Sequence, residues 1–397
     1  VKYIVLIAAF CMQMCLGATY SWSVYVQPLK DLTGLQQGPV QVPFSVFYFI
    51  FPLAMLVAGN LLPRLGTRRS AMIGGLLFGG GWIVASLGTQ SFIFTILGIG
   101  VLSGIGAGMA YIVPIAVCIR WFPRNKGLVT GVAVAGFGGG AALVSQVGGW
   151  CLEALHFTPF QTFLLFGIVF LVTVFSAGMA MKVPPGAKAN GKAVSHHTPL
   201  ALRAFLADSS FHVLYLAMFT GLAAGFAINA NLKEMYSGGG DLVSIGVLAV
   251  SLFAVANAAG RVIWGSLFDR LPSQITMRLN LVLQALVLLS APFVLDTAAG
   301  FYCIALLAGF NYGGVLVIYV SSASRIWGSE HVGQVYGWLF SSNIPASLAP
   351  LFAGVVYDHF HTFDLVFYVL AGILMVGAIL TGVKGNFTIG RAGSSVS

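Results

Sequence analysis

Asn257-Ala258-Ala259-Gly260-Arg261-Val262-Ile263-Trp264-Gly265 sits inside an apolar run that extends from Leu242 to Phe268. Arg261 is the only cation in the hydrophobic core of any such run in the sequence. A charge there costs at least about 2.5–3.5 kcal/mol on insertion scales, so it faces a bundle interior or a water-filled path. No candidate carboxylate lies in the core of another run to neutralise it. The stretch therefore reads as a membrane-spanning helix that carries an anion-binding side chain.

Composition extends this reading to the whole chain. Charged residues make up 7% and hydrophobic residues 58% of the sequence, whereas soluble domains carry roughly 25% charged residues. Apolar runs of about 20 residues recur throughout, and a bilayer admits them as helices because their backbone groups must be satisfied internally. Twelve spans are expected, at 3–26, 40–62, 70–90, 92–119, 127–150, 160–181, 211–232, 242–268, 274–295, 298–324, 332–356 and 363–383. The 50 glycines suit closely packed membrane helices. The five cysteines fall mostly inside spans without metal spacing, so no disulfide, metal or cofactor is expected.

The net charge of +9 is distributed as a topology signal and does not point to nucleic acid. With both termini placed in the cytoplasm, the inner loops collect Lys2, Arg64, Arg68, Arg69, Arg120, Arg124, Lys126 and most of the other cations, while the outer loops keep only Lys30 and Lys233. The longest polar stretch, Val183 to Ser210, separates six spans from six. The expected domains are a first half at 1–182, a cytoplasmic linker at 183–210, a second half at 211–384 and a cytoplasmic tail at 385–397.

The halves repeat. Gly59-Asn60-Leu61-Leu62-Pro63-Arg64-Leu65 ends the second span, and Gly265-Ser266-Leu267-Phe268-Asp269-Arg270-Leu271 ends the eighth, 206 residues later. Gly127-x3-Gly131 opens the fifth span, and Gly333-x3-Gly337 opens the eleventh at the same offset of 206. Duplicated halves of this kind place a substrate near the bilayer midplane between them. The expected fold is an all-α membrane protein of twelve helices in two pseudo-symmetric six-helix halves.

These features resemble the major facilitator superfamily. Its inner-loop pattern is matched by Gly59, Arg64, Gly66, Arg68 and Arg69, with Pro63 at the usual Asp position; Gly265, Asp269 and Arg270 match it in the second half, with Pro272 where Gly is expected. The resemblance assigns these residues to the gating loops. Within the superfamily, the chain resembles the monocarboxylate porters and the oxalate:formate antiporter group. The likeness rests on Gly17-Ala18-Thr19-Tyr20-Ser21-Trp22, on Arg120-Trp121-Phe122-Pro123-Arg124-Asn125-Lys126-Gly127 and on Asn257-x3-Arg261-x2-Trp264-Gly265. Animal monocarboxylate porters carry an Asp where Asn257 stands and a Lys in the first span, which is absent here between Tyr3 and Pro28. The oxalate:formate type has a second cation at the position of Asn343. One fixed cation suits one carboxylate, because a dianion would keep an unpaired charge in a low-dielectric cavity.

A guanidinium grips a carboxylate with two parallel hydrogen bonds. Asn257 lies one turn before Arg261 on the same face and is placed to orient it or to meet the substrate. In the resembled fold, spans 1, 4, 7, 8, 10 and 11 line the cavity. That adds Tyr20, Tyr111, Asn311, Tyr312, Phe340 and Asn343 as substrate-binding candidates, with Phe340 suited to a short alkyl tail. Glu234, Asp241 and Lys233, around the outer ends of spans 7 and 8, are the proton-coupling candidates. The glycine runs at Gly104-x-Gly106-x-Gly108 and Gly136-x-Gly138 lie inside spans with no preceding strand, and so read as helix packing and not as nucleotide loops.

The resemblance implies a proton-coupled symporter of a small monocarboxylate, of the lactate or pyruvate class, working by alternating access. The alternative is a carboxylate exchanger of the oxalate:formate type. A membrane enzyme would need a His, Cys or carboxylate cluster at the interface, and none stands out. The expected setting is the cell (cytoplasmic) membrane, with a monomer as the working unit.

Overall fold

The computed structural model describes residues 2–122, 126–184, 208–239, 242–327 and 332–382. Helices account for every expected span. Among the described residues, ten helices are long and apolar enough to cross a membrane; Asp364–Leu380 is a shorter apolar helix of 17 residues, at the lower limit for a span. Lys126–Glu153 forms a 28-residue helix over the expected fifth span. The expected tail and most of the expected linker lie outside the described residues.

The repeat seen in the sequence is also a repeat of packing. In the first half, span 1 packs on spans 5 and 6, span 2 on span 4, and span 3 on spans 4 and 6. In the second half, span 7 packs on spans 11 and 12, span 8 on span 10, and span 9 on spans 10 and 12. The halves meet where span 5 lies on span 8 and where span 2 meets span 11.

Three spans are interrupted. Span 1 passes from Lys2–Leu16 through a 3-10 turn at Gly17–Ser21 into Ser23–Thr33. Span 4 contains a π-helical segment, Ile96–Ser103, before Gly104–Trp121. Span 11 is divided into Val332–Phe340, Asn343–Ala346 and Ala349–Phe360. Broken helices at membrane depth are tolerated where the freed backbone lines a cavity or is met by neighbours. The breaks in spans 1 and 11 carry Tyr20 and Asn343.

At the end of the bundle expected to face outward, the halves are tied by amides. The Asp358 carboxylate accepts the backbone N–H of Gln37 at 2.7 Å and that of Gly38 at 2.6 Å. Gln37 and Gln41 both donate through Nε2 to Asn231 Oδ1, at 2.8 and 3.0 Å. Asn231 in turn donates to the Ala227 carbonyl at 2.9 Å. Lys30 Nζ donates to Gln37 Oε1 at 3.1 Å and stands 5.5 Å from the centre of the Tyr357 ring. Of the gating-loop residues, Gly66 ends the second span with φ +78°, a conformation that favours glycine. Arg64, Arg68, Asp269 and Arg270 are exposed. Arg325, at the end of span 10, holds the loop after span 8 by donating to the carbonyls of Phe268 at 2.6 Å and Leu271 at 2.9 Å.

Candidate functional site

Span 8 brings Arg261 into the interior because span 10 lies unusually close to it. A Cβ at Gly313 would collide with the Asn257 carbonyl, and one at Gly309 with the carbonyl of Phe253. This small-x3-small spacing lets the two backbones touch. It leaves Arg261 8% exposed and Asn257 fully buried. The guanidinium Nε donates to Asn257 Oδ1 at 3.2 Å. The one-turn spacing thus brings the Asn257 amide against the guanidinium.

Arg261 faces a cavity whose second-half lining is completed by Leu316, Phe340 and Asn343. The first half contributes Tyr20, Tyr48, Phe51, Tyr111 and Phe137. The cavity is small, with a volume of about 20 Å³, room for one water. The guanidinium is its one charge, and no carboxylate is among its lining residues.

The five first-half rings form a closed circuit. Tyr20 meets Phe137 edge-on at 5.2 Å, Phe137 meets Tyr111 at 5.6 Å, and Tyr111 meets Phe51 at 5.5 Å. Phe51 then meets Tyr48 at 6.5 Å, and Tyr48 stacks on Tyr20 at 5.7 Å. Phe340 joins from the second half, edge-on to Phe51 at 5.8 Å. Such edge-to-face contacts hold rings in fixed orientations. Backbone proximity places the circuit: a Cβ at Gly17 would strike the Phe137 carbonyl, so spans 1 and 5 touch just beside Tyr20. Gln13 Nε2 donates to the Tyr111 carbonyl at 3.0 Å, next to the backbone loosened by Pro114.

The expected candidates divide into three groups. Tyr20, Tyr111, Arg261, Phe340 and Asn343 line the cavity. Asn257 and Tyr312 stand one layer behind: Asn257 holds Arg261, and the Tyr312 hydroxyl lies 2.7 Å from that of Tyr20. Asn311 is buried away from the lining, with its carbonyl accepting from Asn280 Nδ2 at 2.9 Å. Lys233 and Glu234 lie in a turn at the outer end, Lys233–Met235, outside the cavity; Asp241 lies outside the described residues. Burial raises the Glu234 carboxyl from its usual value of 4.5 to about 8, against the opposing pull of Lys233 and Lys30.

Spans 2 and 5 line the cavity, which was not expected, and none of the lining residues comes from span 7. The missed residues are Tyr48, Phe51, Phe137 and Leu316. Phe44, Phe47, Tyr48 and Phe51 were visible as an aromatic stripe at helical spacing. Long rings reach further than the spans' positions in the bundle alone would suggest.

The sequence and the fold resemble those of known proteins. The sequence profile described as Major Facilitator Superfamily matches residues 5–344. The oxalate:formate antiporter of Oxalobacter formigenes is 26% identical over 351 residues, covering 87% of this chain and 82% of that protein. Monocarboxylate transporter 13 of Bos taurus is 24% identical over 392 residues, covering 94% and 87%. The crystal structure of a bacterial homologue of the human lysosomal transporter Spinster superposes with a TM-score of 0.75 at 14% identity, covering 96% of each chain. That last likeness concerns the fold.

Proposed function

Since this chain belongs to the Major Facilitator Superfamily, a family of membrane transporters and not of enzymes, we propose that it carries a small monocarboxylate across the membrane together with a proton. The observation that carries this reading is Arg261: one buried cation, oriented by Asn257, in an aromatic cavity whose lining includes no acid. One carboxylate neutralises it. A second would be held without a counter-charge.

The carboxylate binds the guanidinium edge, and Tyr111, whose hydroxyl faces Arg261, donates to the same oxygen or to a 2-hydroxyl. Phe51, Phe137 and Phe340 enclose a short tail. The likeness to monocarboxylate transporter 13 supports a monocarboxylate as the cargo. The two six-helix halves rock about this point, with both termini in the cytoplasm as the Lys and Arg distribution favours, and one chain is the working unit. The proton binds outside the cavity, at the Lys233–Glu234–Asp241 group.

One observation favours a second reading. The cavity lining includes no His, Asp, Glu or Lys, so exchange of one anion for another would need no proton carrier there. The likeness to the oxalate:formate antiporter points the same way. Uptake of labelled L-lactate into vesicles, with and without an inward proton gradient and with Arg261→Gln as the blank, separates the two. Symport gives uptake that rises with the gradient. Uptake indifferent to the gradient but driven by preloaded carboxylate makes the protein an exchanger.

A further inference from the structure

Glu234 closes the turn after span 7, three residues beyond Asn231, the acceptor shared by Gln37 and Gln41. Both of its carboxylate oxygens are shut from solvent and meet no side-chain donor among the described residues, with the backbone N–H groups of Glu234 and Gln27 exerting a small pull on them. An ionised carboxyl in such a position is costly, and a protonated one is far less so.

The turn packs on the end of span 1 and the start of span 8. The charged groups on these elements can be named. Lys30 and Asp31 come from span 1, and Asp31 is engaged at the surface by Gln27 Nε2 at 2.7 Å. Lys233, on the same turn, lies along span 8 over Gly246. Span 8 itself has no charged residue between Leu242 and Gly260, and Asp241 lies outside the described residues. Lys30 is therefore a cation that acts on Glu234 from another element. Its ammonium is already committed to Gln37 Oε1 and the Tyr357 ring, inside the amide tie that closes the outer end.

We propose that Glu234 is a proton-binding site that controls the outer closure: protonated, it leaves Lys30 on Gln37 and the closure intact; ionised, it draws Lys30 off Gln37 and releases the halves. This rests on the transporter reading and places the coupling proton at the gate, apart from the anion. A proton arriving from outside then favours closure over a loaded cavity. Opening to the outside exposes Glu234 to water, where it returns toward its usual 4.5 from about 8 in the closed form. The closed form thus binds the proton more tightly. Its advantage is full below the lower value, is lost progressively as pH rises, and is gone above about 8.

The Gln37 and Gly38 amides report the closure directly, because Asp358 accepts both. Hydrogen exchange at these amides, measured on the full chain in lipid nanodiscs and corrected for intrinsic rates, should accelerate about tenfold per pH unit from pH 5 to 8 and then level off. In Glu234→Gln the corrected rate should be flat with pH. A wild-type slope in that variant overturns the proposal. Lys30→Gln should keep the slope but carry it above pH 8, because losing that cation lets burial raise Glu234 further; a profile identical to that of the parent protein removes Lys30 from the route. Arg261→Gln should lose uptake and keep the slope; a slope lost in Arg261→Gln overturns the separation of proton from anion. Uptake that persists in Arg261→Gln counts against the anion site alone and leaves the exchange result standing.

Discussion

The hydroxyls of Tyr20 and Tyr312 lie 2.7 Å apart and join span 1 to span 10 across the two halves, beside Arg261. Tyr312 is held in place by Phe226 at 6.0 Å and Phe253 at 6.1 Å, and its ring rests on Gly225. The bond belongs to the arrangement in which the outer end is closed. Tyr20→Phe and Tyr312→Phe should each weaken that arrangement by about 0.5–1.5 kcal/mol. The double variant should cost no more than either single one. A double-mutant cycle on thermal stability measures the coupling, and additive losses would show that the pair does not act as one bond.

Replacing Arg261 removes the cavity's charge. Arg261→Gln should reduce carboxylate uptake at least about 100-fold with normal expression, since a buried charged partner is worth about 3–5 kcal/mol. Arg261→Lys keeps the charge but loses the two-pronged grip, and should recover only part of the uptake. Initial uptake rates at matched membrane levels decide this; near-normal rates in Arg261→Gln would take the residue out of the site.

Asn257→Asp places a carboxylate on the guanidinium that the substrate needs. The introduced acid would compete with the anion and would be driven off only when protonated. Uptake by this variant should fall at neutral pH and recover on acidification, more steeply than in the parent protein. Asn257→Ala should raise KM about tenfold through loss of the 3.2 Å bond that orients Arg261. A pH profile of KM for both variants provides the check.

Asn343→Lys adds a second cation to the cavity lining. Competition should then shift from monocarboxylates toward dicarboxylates such as oxalate. Unchanged inhibition by oxalate would count against charge matching as the basis of selection.

Helix spacing can be tested without touching the ligand. Gly313→Ala forces a methyl against the Asn257 carbonyl and should destabilise by about 1–3 kcal/mol. Gly139→Ala meets nothing within 4 Å and should be neutral or stabilise by about 0.5–1 kcal/mol through helix propensity. Thermal melts of the two in the same detergent give the comparison.

Much of this was legible from the chain alone. Apolar run lengths place the spans, and the matching loops after spans 2 and 8 reveal the duplication, because bilayer thickness and backbone satisfaction leave few alternatives. Arg261 is conspicuous because a lone intramembrane charge has few structural uses. The aromatic wall was harder to see. Phe51 and Phe137 are two of 31 phenylalanines, and in a membrane chain an aromatic side chain looks the same facing lipid, core or cavity. The interruption of span 11 between Phe340 and Asn343 also left only Pro345 as a trace.

The 206-residue repeat gives the lining a further meaning. Counting back from Arg261 reaches Met55, from Asn257 reaches Phe51, and from Asn343 reaches Phe137. At each of these duplicated places the second half is polar and the first half apolar. A symmetric frame has thus become a receptacle whose one fixed charge belongs to a single half. A carboxylate held there would keep its one charged partner in the second half at every tilt of the machine, with Tyr111 of the first half meeting the same head. Such an acid would cross the membrane without ever exchanging that partner.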